Sequence, residues 1–188
     1  ITIFFLLIFV FVILFHLFHQ NENKSTQEVQ EIEEVTFVDK TKLPIRIKIP
    51  ELNIDTIIEH VGILLDGSMG VPSLPSTTAW YKFGPSPGEV GSAVIDGHAG
   101  YKNGTPAVFD YLYRLHIGEK IYIEGDAGET LTFVVRKKES YKEDADAREI
   151  FNSNDGLAHL NLITCSGIWD KKSKSHPDRL VVFADLEE

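Results

Sequence analysis

A single cysteine, Cys165, ends the apolar run Leu160-Asn161-Leu162-Ile163-Thr164-Cys165, and Ser166-Gly167 follow it directly. His98 follows a second apolar run, Ser92–Ile95, inside Asp96-Gly97-His98-Ala99-Gly100, where the flanking glycines let the backbone bend around the ring. Arg179 opens a third, Arg179-Leu180-Val181-Val182-Phe183-Ala184. All three stand at the end of a strand-like stretch, where a rigid scaffold presents functional groups. Together these types permit nucleophilic acyl transfer. A thiolate attacks a carbonyl carbon, and an imidazole carries the proton to the leaving amine. A guanidinium, always protonated, offers fixed N–H donors to the negative oxygen of the tetrahedral intermediate.

Each residue also has a plainer reading. Free cysteine is among the most buried types and is often inert. His98 is one of seven histidines, and Arg179 beside Asp178 fits a surface ion pair worth about 0–1 kcal/mol. Other chemistries are poorly served. One cysteine and scattered histidines lack ligand spacing such as C-x-x-C or H-E-x-x-H, and no clustered acidic set suits calcium, so no metal and no cofactor is expected. The glycines of 84–104 follow neither a P-loop nor a dinucleotide-binding pattern. A formal net charge of −10 argues against a nucleic-acid partner, because binding phosphates calls for clustered Lys and Arg.

The elements that must position these residues read as mainly β. Ile45, Ile47 and Ile49 alternate with Arg46 and Lys48, the period of a half-buried strand. Further short apolar runs cover Thr56–Leu64, Ser92–Ile95, Lys120–Glu124, Thr130–Val135, Leu160–Cys165 and Leu180–Ala184. Turn chemistry separates them, as in Asp66-Gly67, Gly84-Pro85-Ser86-Pro87-Gly88 and Asn154-Asp155-Gly156. Pro106–Leu115 and Ala145–Phe151 are each expected to form two or three helical turns. Many short strands point to a closed or nearly closed barrel, with a sandwich as the alternative. Trp80-Tyr81 fits core packing better than a groove lining.

Residues 1–18 are apolar except for Thr2 and His16, and as a helix they span roughly 27 Å, close to the thickness of a bilayer core. The flank His19-Gln20-Asn21-Glu22 lacks the small residues of a cleavage site, so an uncleaved transmembrane anchor is expected at 1–18. Residues 19–43, Glu- and Gln-rich, read as a polar stalk, and 44–188 as the folded domain. The visible flank is poor in Lys and Arg, which places it outside the membrane with the N-terminus inside. The first residue is Ile rather than Met, so a short preceding piece is expected. A lone thiol in an oxidising compartment has no intramolecular partner and invites a chemical explanation.

Taken together the residues resemble a sortase, the cysteine transpeptidases of Gram-positive cell surfaces. Asn161-Leu162-Ile163-Thr164-Cys165 is similar to the family's Thr-Leu-x-Thr-Cys nucleophile motif, departing only in Asn161. His98 follows a strand and a glycine, and Arg179 lies about a dozen residues after Cys165 and begins a terminal apolar strand, as the family's His and Arg do. The wording of Arg46-Ile47-Lys48-Ile49-Pro50, Ala79-Trp80-Tyr81 and Gly84–Gly88 is most similar to class F sortases. The resemblance implies a closed β-barrel of about eight strands with one or two short helices, preceded by the anchor. It implies a secreted surface protein with a C-terminal Leu-Pro-x-Thr-Gly-like sorting signal as substrate, cut between Thr and Gly. Cys165 would hold the thioacyl intermediate, His98 would be general acid and base, and Arg179 would steady the oxyanion or the signal. An amine of a peptidoglycan precursor would release the product, with a minor thiolate–imidazolium population as the reactive form. Thr164, alternating with Cys165, should point to the opposite face of the strand. His176, Asp178 and Asp170, in the loop before Arg179, are candidates for shaping the substrate path.

Two rival functions remain at this point. L,D-transpeptidases also use Cys and His, but favour Ser-x-Gly-Cys-x-Arg, which Cys165 with its neighbours does not match. The other is a non-catalytic, membrane-tethered binding barrel, in which Cys165 would be buried and unreactive; a cysteine hydrolase with little transfer is a variant of the enzyme reading.

Overall fold

The computed structural model describes residues 43–100, 105–146, 148–172 and 175–187. The segment expected to be the anchor and nearly all of the expected stalk lie outside them. Among the described residues no helix is long and apolar enough to cross a membrane.

Alternation builds the barrel. Ile47 and Ile49 of β1 (Pro44–Ile49) face inward while Arg46 and Lys48 stay at the surface. Ile45 departs from that pattern and is exposed, because the pairing register with the neighbouring strand shifts between Pro44 and Arg46. The remaining strands are β2 (Ile54–Val61), β3 (Thr78–Tyr81), β4 (Gly91–Gly97), β5 (Lys120–Gly125), β6 (Thr130–Lys142), β7 (Ala158–Ser166) and β8 (Asp178–Leu186). They close in the order β1-β2-β3-β4-β7-β8-β6-β5, which decides for the barrel over the sandwich. β2–β3 and β4–β7 are parallel pairs; the others are antiparallel.

The interior is packed with side chains from every strand, among them Ile95, Ile121, Phe133, Leu160, Leu162 and Val182, all fully buried. Each such residue contributes about 1.5–3 kcal/mol of apolar burial. Trp80 belongs to this core, and its indole N–H donates to the Pro85 carbonyl at 3.0 Å. A second, smaller cluster lies on the outer side of β4, β7 and β8, where Val94, Val181 and Phe183 pack against Ile150.

Helix is scarcer than the sequence pattern suggests. Pro106–Leu115 forms turns and one 3-10 segment, Leu112–Arg114, instead of two or three α-helical turns. Besides Ala107, its buried residues are Phe109, Leu112 and Leu115, and the spacing by three of these larger side chains suits the 3-10 geometry in which every third side chain eclipses. The second expected helix contracts to α1 (Arg148–Phe151), four residues that seat Ile150 on the outer cluster. β3, buried at Thr78, Ala79 and Trp80, had no place among the expected strands, since four residues are too few to display a period. β6 runs seven residues beyond its expected end at Val135, as an exposed ribbon paired with β8.

Candidate active site

Cys165 is the penultimate residue of β7 and lies opposite Arg179, the second residue of the antiparallel β8. Side chains of directly paired residues stand about 5 Å apart at Cβ, so the register alone sets thiol beside guanidinium. His98 is the first residue beyond β4, whose parallel pairing with β7 ends at Asp96 opposite Ile163. The Thr164 hydroxyl donates to the Gly97 carbonyl at 2.7 Å and pins the two strand ends together there. Thr164 is buried while Cys165 is half-exposed, as alternation requires. Three strands thus bring His98, Cys165 and Arg179 to the lining of one groove of about 430 Å³. A larger hollow of about 620 Å³ opens on the other side of His98, lined also by Ser73, Ala107, Trp169 and His176. It touches neither Cys165 nor Arg179; among the described residues the three reactive types meet in the smaller groove.

Each side chain is held by a distinct set of contacts. The Nε2–H of His98 donates to the Pro72 carbonyl at 2.9 Å, an arrangement that leaves Nδ1 to exchange protons. Pro72 is steadied in turn by Glu59 of β2, which accepts from the Ser73 N–H at 3.0 Å and from the Ser73 and Thr77 hydroxyls. The Thr77 hydroxyl, first among these donors, holds the Glu59 carboxyl below the usual carboxylate range. Arg179 Nη1 donates to the carbonyls of His176 and Asp178 at 2.9 and 3.0 Å, and Nη2 to Glu143 at 2.6 Å. Glu143 also accepts the Ser175 hydroxyl at 2.9 Å, and that bond with the Arg179 contact depresses its carboxyl. Asp178 pairs with Lys142 at 2.8 Å, so the ion pair anticipated between Asp178 and Arg179 is replaced by two crossing ones.

Burial pushes the Cys165 thiol above its ordinary value; Arg179 pulls it down, while Asp96 and Glu143 push it further up. The Asp96 carboxyl is pushed up to about 6, chiefly by burial, against the pull of His98 and Arg179. The thiol therefore rests protonated at neutral pH, beside a cation that favours its ionised form.

Sequence reasoning missed two members of the groove wall, Asp96 and Glu143, and a residue behind it, Glu59, which holds the Pro72-Ser73 segment. Asp96 carries a readable signal, since it stands two residues before His98 on the same strand face. Glu143 and Glu59 carry none, being 22 and 39 residues from the nearest of the three reactive residues. Asn161, the departure from the nucleophile motif, is buried and donates to the Ile150 carbonyl at 2.6 Å, tying α1 to β7. Of the loop candidates, His176 donates from Nδ1 to the Gly167 carbonyl at 2.9 Å, and its ring meets Trp169 edge-on. Asp170 bridges to Ser175 across the same loop. Among the described residues no group of three or more His, Cys, Asp or Glu is arranged to hold a metal ion.

The fold is shared with solved sortases. Sortase A from Corynebacterium diphtheriae superposes with a TM-score of 0.62 at 23% identity, covering 80% of this chain and 63% of its own. Sortase C-1 from Actinomyces oris gives 0.62 at 22% identity, covering 85% and 81%. Sortase A from Listeria monocytogenes gives 0.59 at 18% identity, covering 78% and 88%. This chain thus spans under two thirds of the Corynebacterium protein's length. No curated protein matches it. The sortase domain model matches residues 47–187, nearly the whole barrel, and on that match the chain belongs to the sortase family.

Proposed function

We propose that the chain is a membrane-anchored cysteine transpeptidase that cuts a Leu-Pro-x-Thr-Gly-like sorting signal and passes the acyl group to a cell-wall amine. The observation that carries this reading is the register that sets Cys165 against Arg179 in a groove shared with His98. The Cys165 thiolate attacks the carbonyl carbon of the Thr–Gly bond, and the developing oxyanion takes an N–H of Arg179. His98, protonated at Nδ1 and held through Nε2, gives that proton to the leaving glycine amine. The thioacyl enzyme is then attacked by an amine of a peptidoglycan precursor, whose proton returns to His98. The groove wall of Met69, Ile150, Phe151 and Ile163 suits an apolar residue upstream of the scissile bond. The apolar segment 1–18 and the acidic flank after it support a single-pass anchor with the barrel outside the cell. The segments Arg46–Pro50 and Gly84–Gly88 support placement near class F.

The test is cleavage of a quenched fluorescent Leu-Pro-x-Thr-Gly peptide, with and without triglycine, followed by mass spectrometry of the products. Wild type is expected to give triglycine-ligated product, and Cys165→Ala less than about a thousandth of the wild-type rate. Amine-independent release of the free acid alone would replace transfer by hydrolysis. An unreactive thiol with no cleavage would favour a binding barrel.

A further inference from the structure

Asp96 is the one carboxyl on β4 that lines the catalytic groove, and the reaction just described gives it no task. It stands two residues before His98 and opposite Ile163, which stands two before Cys165. With about 5 Å between strands and about 7 Å between alternate residues, its carboxyl faces the same side as the thiol and the imidazole. Among the described residues no side-chain hydrogen bond or ion pair of Asp96 occurs, and its carboxylate is met there by the Gly97 N–H. A carboxyl in such a place is costly to ionise and cheap to protonate.

On the reading of the site as a sortase's, we propose that Asp96 is a residue that acts through Cys165, its negative charge setting the pH range in which the thiol reacts. The charge disfavours thiolate against thiol, so ionisation of Cys165 moves to higher pH while Asp96 is charged. Other charges face the same space. Arg179 enters from β8, Lys142 and Tyr141 from β6, and Glu143 from the following turn; Lys142 is paired with Asp178, Glu143 with Arg179, and Tyr141 donates to Glu149. Ala79 of β3 is the opposing neighbour of Asp96, and the 68–71 segment and α1 bring no ionisable group to the groove. Among the described residues, Asp96 is thus the carboxylate of this groove whose charge no cation neutralises by direct contact.

The test uses the full chain in detergent, as wild type, Asp96→Asn and Asp96→Glu. Two quantities are followed from pH 5 to 10: kcat/KM on the sorting-signal peptide, and the rate of Cys165 alkylation by iodoacetamide. Asp96→Asn is expected to move the alkaline limb and the alkylation midpoint toward acid by about half a pH unit or more, with peak kcat/KM within about threefold. The profiles should converge as pH falls below about 6, where the wild-type carboxyl takes up its proton. Asp96→Glu should restore the wild-type limbs. Unmoved limbs overturn the proposal, including the case of a lowered plateau, which a purely structural role would give. If Asp96→Asn does not fold, Asp96→Ser removes the charge with a smaller side chain and carries the same comparison. If neither protein cleaves any peptide, the sortase reading fails on its own account, and the alkylation midpoint still decides the role of Asp96.

Discussion

The groove sets a thiol raised by burial beside a guanidinium and an imidazole, and those opposing influences fix what single substitutions should do. Replacing Arg179 by Ala removes the guanidinium proposed as the oxyanion donor and is expected to lower kcat/KM about a hundredfold or more, most of it in kcat. Replacing it by Lys keeps the charge but loses the fork that reaches two carbonyls and Glu143 at once, so a smaller but clear loss in kcat is expected in the same assay. Far from the groove, buried His159 bridges Asp155 at 3.0 Å and Asp185 at 2.6 Å, joining the turn before β7 to β8. The hydrogen bond from His159 holds the Asp155 carboxyl well below the usual carboxylate range. A depressed carboxylate lends stability above its unfolded value near 3.9 and loses it as pH falls through that region toward the folded one. Asp155→Asn should therefore melt below wild type at pH 7, and the gap should narrow progressively below about pH 4 in thermal scans.

At the scale of elements, the end of β4 does most to place the imidazole. A Cβ built on Gly97 would fall 2.3 Å from the ring of Phe109, a fully buried core residue that accepts no easy shift. Gly97→Ala is expected to cost about 1–3 kcal/mol in urea unfolding and to displace His98, so that activity falls beyond the loss of folded protein. The glycine ahead of His98 is readable in the sequence; its reason, the Phe109 ring pressed on its face, is not. The same holds for the shrunken helices. Spacing in Pro106–Leu115 is compatible with two helical periods, and only the ring of core residues it must meet selects three.

At the scale of the whole molecule, closure is the deciding feature. β1 pairs with β2 on one side and β5 on the other, so it removes two edges at once and carries Ile47 and Ile49 into the core. Removing residues through Ile49 should abolish cooperative unfolding, whereas removing residues 1–42 should leave the melting transition of the barrel intact. Circular dichroism melts of the two truncations check both outcomes. The parallel β4–β7 pair matters at this scale too, because it alone brings His98 and Cys165, 67 residues apart, to neighbouring strand ends.

The sequence by itself determined the chemistry on offer and the mainly β class. Residue types at strand ends, alternation in β1 and turn residues between apolar runs are local properties, and local spacing records them. It singled out His98, Cys165 and Arg179 for the same reason, each closing or opening a run that is legible alone. Tertiary structure decided what those residues meet. Parallel pairing of β4 with β7 and antiparallel pairing of β7 with β8 are choices among strand partners far apart in the chain, and no periodicity encodes them. The bulge that turns Ile45 outward, the four-residue β3, the Glu143 contact with Arg179 and the carboxyl of Asp96 within the groove all follow from those pairings. Each depends on a neighbour supplied by another strand, which only closure of the barrel brings within reach.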